Sequence, residues 1–316
     1  MRHDVQGRAG LLEILSWARP HDSDIERAFC REFLDKVPGM TKDGYGNRML
    51  SIGVRPRIIW SCHIDTVAAR GGRQNVDVDA KGIARLQNGK AGMCLGADDG
   101  AGIWIMLNMI AARRPGLYIF HRGEERGCLG SRWIMRNTPH LLEGVDAAIA
   151  FDRAGYGDVI THQSHGRTCS DAFAASMATA LNALGPDLQY APDNTGVFTD
   201  TNEYAGAIPE CSNLSVGYHG QHGPRETLDI AHCERLLAAM VKLDSDQLVI
   251  ERDPLDPAHD RWGWGYPSER DDLADAVAEY PMTAARILEE CGVTLEDFQI
   301  ALWADEEAGY RPLMAS

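Results

Sequence analysis

Eight cysteines are present, but no two of them form a CxxC pair. Cys30, Cys62, Cys94, Cys128, Cys169, Cys211, Cys233 and Cys291 stand singly, so neither spacing nor context suggests a disulfide framework. Basic residues are scarce: 31 Lys+Arg face 46 Asp+Glu, for a net charge of −15. That balance argues against nucleic acid or an anionic membrane as the main partner, because binding phosphate needs clustered Lys and Arg. No apolar run approaches the length of a membrane span. Met1-Arg2-His3-Asp4 leads into a polar stretch without the apolar segment of a secretion signal. Reduced, mostly buried thiols in the cytoplasm are therefore expected. There is no internal repeat and no low-complexity tract. What the chain does have is 316 residues, 44% of them hydrophobic, enough for one large α/β domain or two ordinary ones.

The acid is unevenly spread. Residues 251–316 hold 16 Asp+Glu against 5 Lys+Arg, while residues 1–250 are nearly balanced at −4. The shift coincides with Asp253-Pro254-Leu255-Asp256-Pro257 and a following Trp-Gly-rich stretch. Pro and Gly at that density break regular structure, which places a domain boundary near residue 250. Before it, apolar spacing predicts two amphipathic helices within 9–37, the second capped from Pro20-His21-Asp22-Ser23. Strands are expected at 48–54, 57–62, 117–120, 147–151 and 214–217. Helices are expected at 102–112, 131–136, 171–184 (capped by Ser170) and 230–248. A polar excursion covers 68–91. Strands alternating with helices imply a three-layer α/β/α domain around a mixed, largely parallel sheet. Such folds bind ligands in the loops beyond the carboxyl ends of their strands.

Those loops carry the chemistry. They read His63-Ile64-Asp65-Thr66-Val67, then Gly96-Ala97-Asp98-Asp99-Gly100-Ala101-Gly102. Further on come Gly123-Glu124-Glu125-Arg126-Gly127-Cys128-Leu129-Gly130-Ser131, Asp152-Arg153, and Tyr218-His219-Gly220-Gln221-His222-Gly223-Pro224-Arg225-Glu226. Taken singly, each has a structural explanation: Asp-Asp-Gly marks turns, Glu-Glu complements a helix start, and a lone His satisfies a core. Together they concentrate buried charge at strand ends, where uncompensated carboxylates cost several kcal/mol each. Imidazole and carboxylate ligands without cysteine suit a hydrolytic metal centre with a position open to water.

The ordered set HxDTV, GADDGAG, GEExGxxGS, FD and a final His before Pro-x-Glu resembles the co-catalytic di-zinc exopeptidases, over about residues 11–248. The resemblance implies that His63 and Asp152 bind one zinc, Glu125 and His222 the other, and that Asp98 bridges the two Zn²⁺ ions. Mn²⁺ or Co²⁺ would be substitutes. It further implies Asp65 hydrogen-bonded to His63, Glu124 as general base, and a cis Asp98–Asp99 peptide. Two such ions polarise the scissile carbonyl and activate water. Only 70 positions separate Asp152 from His222, too few for the inserted lid of the carboxypeptidase and deacylase branch. Only 35 separate His63 from Asp98, too few for the β-rich insertion of the large oligomeric aminopeptidases. The compact aminopeptidase branch remains.

Several residues stay open. His219 is a candidate pocket-wall group. Asp200 matches a supporting Ser/Thr-Asp motif or caps a helix. Arg153 and Arg225 would clamp a substrate carboxylate, or else form salt bridges. The substrate is thus a short peptide or an acyl amino acid. Alternatives to an aminopeptidase are an N-acyl amino acid deacylase, a carboxypeptidase or dipeptidase, and more remotely an inactive binding protein. Residues 268–304 read as acidic helices. Their resemblance to a helix-turn-helix fails because 294–304 contains no Lys or Arg. A helical cap, a homo-oligomer contact or a docking module are the roles left for this extension.

Overall fold

The computed structural model describes residues 5–164 and 166–255. The acidic extension, with its expected helices at 268–304, lies outside the described residues.

Eight strands form the main sheet: Thr41–Lys42 (β1), Arg48–Ile52 (β2), Ile58–His63 (β3), Gly116–His121 (β4), Ala147–Arg153 (β5), Asp158–Ile160 (β6), Ala191–Asp193 (β7) and Glu210–Ser215 (β8). Their order is β7-β6-β8-β5-β3-β4-β2-β1. The central four, β8, β5, β3 and β4, run parallel. Antiparallel β2 on β4, β1 on β2 and β6 on β8 make the sheet mixed. Strands β3 and β4 are buried along their whole length, the pattern of strands covered on both faces.

Alternate side chains feed two cores. Ile58, Trp60 and Cys62 join Leu11, Trp104, Met177 and Leu236 on one face. Ile59 joins Ile134, Leu142 and Ile208 on the other. The first face carries helices Gly7–Leu15 (α1), Asp24–Phe29 (α2), Ala97–Ala111 (α3), Asp171–Leu184 (α5) and Ile230–Met240 (α6). Leu129–Asn137 (α4) lies on the second. The domain is therefore the three-layer α/β/α expected. Both expected caps form: Ser23 accepts from the Glu26 N–H and Ser170 from the Phe173 N–H.

Boundaries differ where tertiary contacts decide them. α2 runs on into a π-helical turn, Cys30–Leu34. α6 stops at Met240, short of the expected 248. β8 begins at Glu210 because that buried carboxylate accepts bonds from the Ser170 N–H and hydroxyl and from the Glu251 and Arg252 N–H groups. The polar excursion supplies Val76–Val78 and Ile83–Leu86 to a four-stranded antiparallel sheet completed by Tyr218–His219 and Thr227–Asp229. Strands that short show no usable alternation. Among the described residues, no helix is long and apolar enough to cross a membrane.

Candidate metal centre

The carboxyl ends of the parallel strands converge. His63 closes β3, Asp152 lies near the end of β5, Glu124 and Glu125 form a 3₁₀ turn after β4, and Asp98 opens α3. The Asp98–Asp99 peptide is cis. Two glycines of the motifs answer to close approach. A side chain on Gly102 would collide with the Asp99 carboxylate, and one on Gly123, at φ +76°, would reach to 2.9 Å from the His21 ring.

The five proposed ligands fall into two trios that share Asp98: His63, Asp98 and Asp152; and Asp98, Glu125 and His222. In each, one donor atom per residue lies within 4.8 Å of the others. His63 Nε2 stands 2.8 Å from Asp98 Oδ1 and 3.6 Å from Asp152 Oδ1. His222 Nε2 stands 3.1 Å from Asp98 Oδ2 and 3.3 Å from Glu125 Oε2. The two oxygens of Asp98 thus face opposite imidazoles. His63 is buried, whereas the His222 side chain is 55% exposed on a turn at φ +62°.

Electrostatics here call for positive charge. Burial raises the pKa of Glu124, Glu125 and Asp152. Burial also opposes ionisation of Asp98, but hydrogen bonds from His222 and His63 outweigh it and hold Asp98 well below its usual range. Hydrogen bonds to Asp98 and Glu125 push His222 up to about 11. Glu125 Oε1 is buried without any hydrogen-bond partner. A divalent cation satisfies that orphaned oxygen and the clustered carboxylates together, so the donor set fits the group that the sequence implied.

The surrounding contacts hold this set in place. His63 Nδ1 lies 3.0 Å from the carbonyl oxygen of Asp65, not its carboxylate, which is 3.9 Å away. The Asp65 carboxylate instead accepts from the N–H groups of Gly123 (2.7 Å) and Glu124 (3.2 Å), tying the His63 loop to the Glu124 turn. Thr199 and Tyr218 donate to the two oxygens of Asp152 at 2.7 and 3.0 Å. Glu226, buried, accepts from the Gly96 and Asp98 N–H groups at 2.9 and 3.0 Å. Asp99 accepts from the His63 N–H. Arg19, also buried, donates to carbonyls of both Ile64 and Gly96. Sequence reasoning assigned no role to Tyr218, Glu226, Asp99 or Arg19. Thr199 entered only as the Thr of the supporting Thr-Asp motif, Glu226 as the end of the Pro-x-Glu motif, and Asp99 through its peptide bond to Asp98.

Of the remaining candidates, Asp200 is buried under the site. It accepts from Ser131 at 2.6 Å and lies 3.4 Å from His121 Nδ1; Thr199, not Asp200, occupies the N-cap of the local 3₁₀ turn. Arg153 is engaged by Asp158 at 2.9 Å and Thr195 at 2.8 Å, so it is a salt-bridge partner rather than an open clamp. Arg225 is exposed. His219 is exposed and packs on the Tyr156 ring at 4.7 Å. Cys128 Sγ is 3.7 Å from Glu124 Oε1.

Comparison with known proteins gives a family match and a shared fold. Residues 51–205 match Peptidase family M28. No curated protein sequence matches significantly. Among solved structures, a tripeptidase from Staphylococcus aureus subsp. aureus Mu50 is similar with a TM-score of 0.60 at 14% identity, over 73% of this chain and 95% of that one. The aminopeptidase PepT from Bacillus cereus ATCC 10987 gives 0.54 at 14%, over 74% and 96%. The dodecameric PhTET1-12s gives 0.53 at 15%, over 75% and 98%. At these identities the structural likenesses establish a shared fold.

Proposed function

We propose that this chain, which belongs to the co-catalytic metallo-exopeptidases of peptidase family M28, is an aminopeptidase that releases residues from short peptides with two zinc ions. The observation that carries the reading is the pair of ligand trios sharing Asp98, with Glu124 beside them. His63 and Asp152 would hold one ion, Glu125 and His222 the other, and Asp98 would bridge. Bound there, the two ions would lower the pKa of water and polarise the scissile carbonyl.

The chain's own residues do the rest. Glu124 follows β4 with the Glu125 side chain committed to His222, leaving Glu124 to take a proton from the attacking water and pass it to the leaving amine nitrogen. Burial raises its pKa above the usual carboxylate range, so it takes up a proton more readily than an exposed glutamate. The Asp65 carboxylate fixes the Glu124 backbone through two N–H bonds, so base and His63 move as one unit. Thr199 and Tyr218 orient Asp152, and Glu226 orients Asp98. Residues 1–250 constitute the catalytic domain in this reading, with 251–316 appended. A cytoplasmic location accords with seven described cysteines that are free and buried. Homo-oligomerisation is part of the same proposal.

The decisive test is Glu124→Gln. Activity on aminoacyl-arylamides should fall about 10²–10⁴-fold with two metals per chain retained. Full activity in this variant, or a protein that neither holds nor responds to Zn²⁺, Mn²⁺ or Co²⁺, would refute the mechanism. A parallel panel of N-acyl amino acids separates aminopeptidase from deacylase and carboxypeptidase.

A further inference from the structure

A second recess of about 250 Å³ is lined by Tyr156, Gly157, Asp187, Gln189, His232 and Arg235. None of these residues belongs to the metal centre. Arg235 projects from α6, and its Nε is buried without a hydrogen-bond partner. Asp187 is exposed on the loop after α5. Both line the recess, and neither Arg235 nor Asp187 forms an ion pair with a described residue. Two rings also line it. Tyr156 is 45% exposed, and His232 packs edge-on against it at 5.1 Å. Burial pulls the pKa of His232 down to about 4, so this ring is neutral at physiological pH.

A guanidinium and a carboxylate that line one recess with two rings, without an ion pair between them, complement a small zwitterion. We infer that this recess binds a free amino acid, its carboxylate on Arg235, its ammonium on Asp187 and its side chain on Tyr156 and His232. The recess is wired to the metal centre through backbone. The Tyr156 ring packs at a tilt against His219, the Gly155 N–H donates to the Tyr218 carbonyl at 2.9 Å, and the Gly217 N–H donates to the Gly155 carbonyl at 2.8 Å. The Tyr218 hydroxyl in turn donates to Asp152. An amino acid packed on Tyr156 therefore bears on the strand that orients a metal ligand. The identification of that ligand as the reaction product rests on the aminopeptidase reading; the binding itself does not.

The test is calorimetric titration of the zinc-loaded full chain with L-leucine, L-leucinamide and N-acetyl-L-leucine. Leucine should bind at a site that Arg235→Ala and Asp187→Asn each weaken by about tenfold or more. The compounds lacking the carboxylate or the ammonium should not bind there. Both variants should turn over arylamides within about twofold of wild type when no leucine is added, and Asp187, being exposed, can be replaced without threatening the fold. Leucine binding unchanged in both variants would place the amino acid at the metals and overturn the inference, as would no binding at all. Leucine binding lost in the variants of a protein without peptidase activity would retain the site and refute the aminopeptidase reading instead.

Discussion

Arg19→Lys should destabilise the chain by about 3–5 kcal/mol, although the charge is preserved. The guanidinium is fully buried and donates through Nε to the Ile64 carbonyl at 2.7 Å. Its Nη1 reaches Trp17 at 2.9 Å and Ile14 at 3.3 Å, and its Nη2 reaches Gly96 at 3.4 Å. Its Cζ lies 4.7 Å from the Phe29 ring centre. Bonds from a charged donor contribute about 1.5–3 kcal/mol each, and one ammonium nitrogen cannot span carbonyls on three separate segments, so roughly two bonds are lost. Burial already pulls the pKa of Arg19 down, and a lysine starts about two units lower, nearer to losing its charge. Ile64 follows His63 and Gly96 precedes Asp98, so metal affinity should also fall by roughly 10–100-fold. Urea unfolding of the full chain measures the first effect, and metal titration the second. A variant within 1 kcal/mol of wild type that binds metal normally would refute the argument that this one side chain pins two ligand loops.

Other outcomes follow from the same geometry. Asp98→Asn should weaken both metal positions together, by roughly 100-fold or more, whereas Glu125→Gln should spare the His63 position; bound metal per chain distinguishes them. The seven described cysteines should react with DTNB at pH 8 only on unfolding, since all are buried and burial pushes Cys30 and Cys94 up to about 12. Burial also pulls His121 down to about 3, against about 6.5 unfolded, so the unfolded chain binds the extra proton. Its contribution is complete above pH 6.5 and lost as pH falls towards 3, by roughly 5 kcal/mol. Urea titrations of His121→Gln against wild type across that window should show a shallower acid limb in the variant.

The central strands and the five candidate ligands were readable because each signal is local. Ile58 to Cys62 is an unbroken apolar run, and His63, Asp98, Glu125, Asp152 and His222 sit in ordered motifs. What was not readable depends on distant partners. Arg19 precedes Ile64 by 45 positions and gains its meaning only where their loops meet. Thr199 and Tyr218 look like ordinary polar residues until Asp152 is seen between them. The resemblance implied a hydrogen bond between Asp65 and His63 without saying through which atom; the backbone carbonyl makes it, which leaves the carboxylate for the Glu124 turn. Strands such as Val76–Val78 pair with Ile83–Leu86, which in turn pairs with residues more than a hundred positions later, beyond the reach of any periodicity.

The His63 side chain is 1% exposed and that of His222 55%, so in the proposed centre the two imidazoles would meet solvent very differently. An ion held there by His63 would sit against a buried imidazole. One held by His222 would have an imidazole ligand open to water. Loading and stripping should accordingly proceed in order, the outer position filling last and emptying first. A mild chelator would then act as a throttle, thinning the outer ion while the inner one stays seated.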